Sequence, residues 1–214
     1  MSQERQAPLT RRRAEPANRG SDETRLRILR AALELFSRDG FDATTVRAIA
    51  RRCEISDAAV FYYFTSKQQL LDALWSFPSE DGFRRLKPGG PMTPARLRSL
   101  TDESLDVIAD NHDLLRLMTG QALAGDRTAS ALREEARVVW RRMVHAHFAA
   151  SADIETAETA TDALHALITG ITMRVVMEHG DDAPRICRDP EFRESLFRRA
   201  LLVVPVAPPA AAAG

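Results

Sequence analysis

Residues 45–64, TVRAIARRCEISDAAVFYYF, decide the fold. Thr45 offers a capping hydroxyl ahead of Val46, Ile49, Ala50 and Cys53, whose spacing puts them on one helical face. Ser56 repeats the device before a second short helix, from Asp57 to Phe64, with Val60 and Phe64 turned inward. Cys53-Glu54-Ile55 is the turn between them, and two short helices joined by such a turn make a helix-turn-helix. The second helix is too short to bury Val60, Phe61, Tyr62, Tyr63 and Phe64 together. With Val60 and Phe64 inward, Phe61 and Tyr62 face outward. Adjacent exposed aromatics need a partner, and a DNA backbone or a thymine methyl would serve. The competing reading of these residues alone is an ordinary helical core, with the aromatic cluster packed on the next helix.

Working outward, the pattern stays helical. Ser21 is the expected cap of a first helix bearing Leu26, Leu29, Leu33 and Phe36, ended by Gly40. Ser66-Lys67-Gln68-Gln69 reads as a capping box for a helix with Leu70, Leu71, Leu74 and Trp75, which Pro78 should end. Residues 87–94, KPGGPMTP, form a joint whose Thr93-Pro94 opens the next helix, through Leu97, Leu100, Leu105 and Ile108. Asn111 is the expected cap of a short segment with Leu114, Leu115 and Met118. Long helices follow from about Thr128 to Ala150 and from about Ile154 to His179, the latter stopped by Gly180. Asp189-Pro190-Glu191 starts the last helix, and Pro205 should stop it. No stretch alternates with period two, so the expected class is all-α.

Residues 24–75 as a whole, TRLRILRAALELFSRDGFDATTVRAIARRCEISDAAVFYYFTSKQQLLDALW, resemble the DNA-binding domain of the tetracycline-repressor (TetR) family. AALELFSRDGFDATTVRAIA and VFYYFTSKQQLL carry the likeness. The resemblance implies a homodimeric, ligand-responsive regulator, by family habit a repressor, that releases a near-palindromic double-stranded operator when a small molecule binds. It implies a helix-turn-helix head over 21–66 and an effector-binding and dimerisation body over 67–204, with no cofactor. Residues 1–20, rich in arginine, and residues 205–214 are expected to be disordered tails. The resemblance assigns Thr45 and Lys67 to phosphates and Arg47 to a base or a phosphate. It places Ser56, Asp57, Ala58, Phe61, Tyr62 and Tyr63 on the recognition helix. His112, Arg116, Trp140, Met143 and His147 fall on the helices that line the family's ligand cavity. Glu54 stands where the family commonly has glycine, so it is expected at positive φ. Asp57, Ala58, Ala59 and Phe61 also depart from the common pattern. Asp57 either accepts from cytosine N4 or repels a phosphate.

Composition narrows the rest. The 214 residues hold 30 Lys plus Arg against 30 Asp plus Glu, so net charge announces no nucleic-acid partner. The basic N-terminal tail is read equally as an arm along DNA and as a solvated segment. Two cysteines, Cys53 on the inward face of the second helix and Cys187 in a loop before Asp189, fit a reducing cytoplasm, and no apolar run is long enough to span a bilayer. No C-x-x-C or H-x-x-x-H pair suggests a metal, and no nucleophile elbow or phosphate-binding glycine loop suggests an enzyme. The stripes Leu164, Leu167, Ile171, Val175 and Phe192, Leu196, Ala200, Val203 are expected to pair two copies in a four-helix interface.

Overall fold

The computed structural model describes residues 16–75, 90–150 and 152–206, and among them every regular element is a helix. The head comprises α1 (Pro16–Asp39), α2 (Val46–Arg52), α3 (Asp57–Tyr63) and α4 (Lys67–Trp75); α4, which the sequence reading assigns to the 67–204 body, buries Leu70, Leu71 and Leu74 in the head core. The body comprises α5 (Pro94–Asp110), α6 (His112–Leu123), α7 (Arg127–Ala149), α8 (Ile154–Glu178), α9 (Ala183–Arg188) and α10 (Pro190–Val203). Each part has its own apolar core. Ile28, Leu29, Phe36, Ile49, Val60 and Phe64 are central to the head, and Leu97, Leu105, Val144, Phe148, Leu164 and Leu196 to the body.

Most starts are where capping chemistry puts them. The side chains of Thr45, Ser56, Thr93 and Asp189 accept from the amides of Ala48, Ala59, Arg96 and Phe192. The box after α3 is shifted by one residue. Ser66 Oγ accepts from Gln69 N at 3.0 Å, but Gln69 Oε1 takes the amide of Thr65, not that of Ser66.

Several expectations are corrected. α1 begins at Pro16, so Ser21 lies inside the helix rather than capping it, and residues 16–20 of the expected disordered tail are helical. Asn111 gives its side-chain amide back to Val107 O at 2.9 Å and leaves α6 without a side-chain cap. Asp126, whose carboxylate accepts from Ala129 N at 2.8 Å, starts α7 one residue earlier than Thr128. Residues 183–188, read as a loop, form α9, and its Cys187 is buried in the body core. Finally, Leu164, Ile171, Val175, Leu196 and Ala200 are interior to one copy. Their apolarity is satisfied by α8 and α10 packing on α5 and α9, so it is no argument for a second copy. The N-terminal 1–15, the helix end expected at Pro78, the first part of the 87–94 joint and residues 207–214 lie outside the described residues.

The two parts meet along α6. Leu117 of α6 is buried in the head core, against α1. Four residues before it, Asp113 accepts a 2.7 Å hydrogen bond from Ser37 Oγ of α1. On the body side Leu115 of the same helix packs on the body core.

Candidate nucleic-acid interface

The turn between α2 and α3 has a specific backbone geometry. Ile55 N donates to Ala50 O at 3.0 Å and Glu54 N to Arg51 O at 3.1 Å, the paired bonds of a Schellman ending. That motif needs a left-handed residue between them, and Glu54 takes it with φ 57°, as the family resemblance implies. Ile55 then packs on the head core. Arg52 fixes the two helices from outside, its guanidinium meeting Glu34 of α1 at 2.9–3.2 Å.

This frame presents one side of α3. Tyr62 is 81% exposed and Phe61 48%. Tyr63 is half-buried, packs on the head core and meets the Tyr62 ring edge-on at 5.1 Å. Ser56, Asp57 and Ala58 are exposed at the start of the helix. Thr45 is exposed, and its hydroxyl oxygen accepts from Ala48 N at 3.1 Å, leaving the hydroxyl proton to donate elsewhere. Arg47 is exposed and forms no ion pair among the described residues. The same holds for Arg51, one turn further along α2, which sequence reading passed over although its i+4 spacing from Arg47 signals a shared face.

Lys67 is occupied differently. Its ammonium donates to Phe41 O at 2.7 Å, Asp42 O at 3.1 Å and Thr44 O at 3.1 Å, and lies 4.4 Å from the centre of the Phe41 ring. All three N–H donors therefore hold the α1–α2 loop that delivers Thr45. Thr44, buried behind it, gives its hydroxyl to Gly40 O and Leu35 O.

In the body, a cavity of about 410 Å³ lies between α6, α7 and α8. Of the five residues expected to line such a cavity, Trp140 does. The others sit elsewhere. His112 lies beside Asp113, with its Nε2 3.5 Å from the carboxylate. Arg116 reaches Asp181 at 4.0 Å, and Met143 packs on the body core. His147 is buried. Its Nδ1 bonds Gly90 O at 3.0 Å and its Nε2 accepts from Arg96, which also reaches Glu103 at 3.1 Å. The cavity instead gathers Thr119, Arg133, Glu134, Arg137 and His165, which sequence reading missed. Helical spacing of Arg133 and Arg137 with Trp140 was the available signal. Burial holds the His165 imidazole below its ordinary basicity, helped by the charges of Arg137 and Arg141. Both thiols are buried, and that burial raises Cys53 and pushes Cys187 up to about 11, against any nucleophilic role. Among the described residues no acidic, His and Cys cluster fit for a metal occurs, and no helix is long and apolar enough to cross a membrane.

Residues 28–74 match the family model described as bacterial regulatory proteins, tetR family. This head is a tetR-family domain. The HTH-type transcriptional regulator UidR of Escherichia coli K12 is 43% identical to the chain over 51 residues, which cover 24% of this chain and 26% of UidR. The chain thus matches only about a quarter of the length of that curated relative. The fold likeness reaches further. A transcriptional regulator (TerR/AcrR family) from Aquifex aeolicus VF5 superposes with a TM-score of 0.63 at 20% identity, over 84% of this chain and 99% of that one. Salmonella enterica GusR does so with a TM-score of 0.58 at 18% identity, over 85% and 95%. The tetR-family head and a helical body are therefore one architecture, and UidR and the Aquifex aeolicus protein carry the names of transcriptional regulators.

Proposed function

We propose that the chain is a DNA-binding transcription regulator whose body takes a small effector, acting as a homodimeric repressor on a near-palindromic operator. The observation that carries the reading is α3, which presents Tyr62 and Phe61 to solvent beside the exposed Thr45 and Arg47. An exposed aromatic pair at the end of a capped recognition helix is expensive to leave in water and suited to a major groove. Thr45 and Arg47 then engage the backbone and a base edge, Ser56, Asp57, Ala58 and Tyr63 border the groove, and Lys67 positions Thr45 through the loop it holds. Two copies would set their α3 helices about 34–36 Å apart, one turn of DNA. The pairing face is the outer side of α8 and α10, where Ala166, Gly170 and Leu202 are exposed.

Effector control has a mechanical route. α6 carries Leu117 into the head core, and Thr119, two residues on, lines the cavity. A ligand that shifts α6 shifts α1 with it, and differential affinity for the two conformers sets how far the dimer leaves DNA. A mobility-shift titration on the DNA flanking its own gene, at several salt concentrations, tests the reading. Salt-dependent binding is expected. Absence of binding to any duplex, with or without ligand, would overturn it.

A further inference from the structure

The cavity between α6, α7 and α8 has walls of two kinds. Leu115, Met118 and Ile168 give an apolar side, and Trp140 with His165 gives an aromatic one, the two rings tilted by 55° with centroids 5.4 Å apart. Two cationic side chains from α7 line the same space. Arg137 is neutralised by a two-pronged pair with Glu134. Arg133 forms no ion pair or hydrogen bond among the described residues. The lining therefore carries one guanidinium more than it has carboxylates. Thr119 adds a hydroxyl to the lining that makes no hydrogen bond among the described residues, so it is free to meet a ligand oxygen.

We infer that this cavity binds an amphipathic organic anion, a carboxylate on an apolar, aromatic-sized body. The proposal names the effector class for the regulator reading above and rests on it for its role in DNA release. The carboxylate takes Arg133 in a two-pronged hydrogen bond, one oxygen within reach of Thr119, and the body lies along Trp140, His165 and Ile168. Arg137 already has its carboxylate in Glu134, so it supplies field more than a vacant fork. The lowered basicity of His165 agrees with a positive local potential, because Arg137 and Arg141 outweigh Glu134 there. A neutral imidazole beside the Trp140 ring leaves Arg133 as the cation an incoming anion meets. The volume, about 410 Å³, lies within the range of small-molecule sites. A neutral isostere would strand the guanidinium, and a cation would be repelled by it.

Calorimetric titration of the full chain at neutral pH with naphthoate, naphthylmethanol and naphthylmethylammonium tests the charge assignment without any mutation. Naphthoate should bind tightest, by about tenfold over the alcohol, with the ammonium weakest. Arg133→Gln, verified as folded by circular dichroism, should erase the preference, and Arg133→Lys should keep part of it. Thr119→Val should weaken naphthoate by roughly threefold to tenfold and the alcohol less. Equal or tighter binding of the alcohol or the ammonium would overturn the inference, as would no binding of any of the three, or a naphthoate preference that survives Arg133→Gln. A parallel salt titration on the upstream duplex separates the two readings. DNA binding without an anion preference sinks the anion site alone, whereas an anion preference without DNA binding sinks the regulator.

Discussion

Lys67 offers the sharpest test of how the head is built, because two roles for it predict opposite measurements. Lys67→Met keeps the apolar stem over Phe41 and deletes the ammonium. Three carbonyls, of Phe41, Asp42 and Thr44, then lose their donor. A hydrogen bond to a charged group contributes about 1.5–3 kcal/mol. Three of them do not add, because the bond to Asp42 is exposed and all three share one cation that water competes for. A loss of about 2–3 kcal/mol is therefore expected, which lowers the melting temperature of a chain of this size by roughly 4–12 °C. Thermal unfolding by circular dichroism reads that quantity. Salt titration of DNA binding reads the other role. A direct phosphate contact removes about 0.9 from the slope of log affinity against log salt, whereas a loop tether removes less than about half of that. A variant that melts with the wild type but loses a full unit of slope would show that Lys67 releases its carbonyls for DNA, and the tether would be refuted.

Four further outcomes are expected. Glu54→Gly should raise stability by up to about 1 kcal/mol, since glycine takes φ 57° without the side-chain clash; chemical denaturation showing a loss would remove the strain. Arg47→Ala should cost roughly 1–3 kcal/mol more on the true operator than on random DNA if Arg47 reads a guanine, and equal losses in anisotropy titrations would demote it to a backbone contact. His147→Leu should destabilise by about 2–3 kcal/mol, because Gly90 O and Arg96 both lose a buried partner; an unchanged denaturation midpoint would contradict the network. The neutral-imidazole preference of His165 predicts a pH signature. Its folded-state basicity lies below the ordinary value of 6.5, so the unfolded chain takes up the proton first, and stability present above that value should decline as pH falls beneath it. His165→Gln should flatten that part of a melting-temperature profile, and a profile unchanged by the substitution would contradict the assignment.

What the sequence disclosed divides along a physical line. The head was legible because its signals are local. Thr45 and Ser56 cap within three residues and the outward aromatics follow from the length of α3, whereas the left-handed Glu54 was expected only from the glycine common in the family at that position. The body was legible only as helices. Leu164, Ile171 and Val175 make an apolar stripe whether they face a neighbouring helix or another copy, and the stripe itself cannot tell the two apart. His147 failed as a cavity residue for a related reason. A histidine on a long helix gains its meaning from Gly90 and Arg96, more than fifty residues away in sequence. Cys187 was misplaced because α9 spans only six residues and lacks a side-chain cap.

The proposed coupling between head and cavity turns on how α6 is held in place. α6 has no capping side chain at its start, since Asn111 turns back to Val107. Its register is fixed instead by tertiary contacts, with Leu117 in the head core and the Ser37–Asp113 bond on one side and the cavity wall on the other. Under the proposed effector control, a ligand that altered the cavity contacts would act on the head contacts through this helix. Ser37→Ala removes a partly buried bond to a carboxylate, worth about 1.5–3 kcal/mol before water replaces it, without touching α3. If that bond carries the coupling, the variant should still bind DNA in the absence of ligand, yet show a smaller change in DNA affinity when a cavity ligand such as naphthoate is added. The comparison is a four-way set of anisotropy titrations, wild type and variant with and without the ligand. An undiminished ligand effect in Ser37→Ala would show that the Ser37–Asp113 bond does not carry the coupling and would shift the assignment to other contacts between the parts, the packing of Leu117 among them.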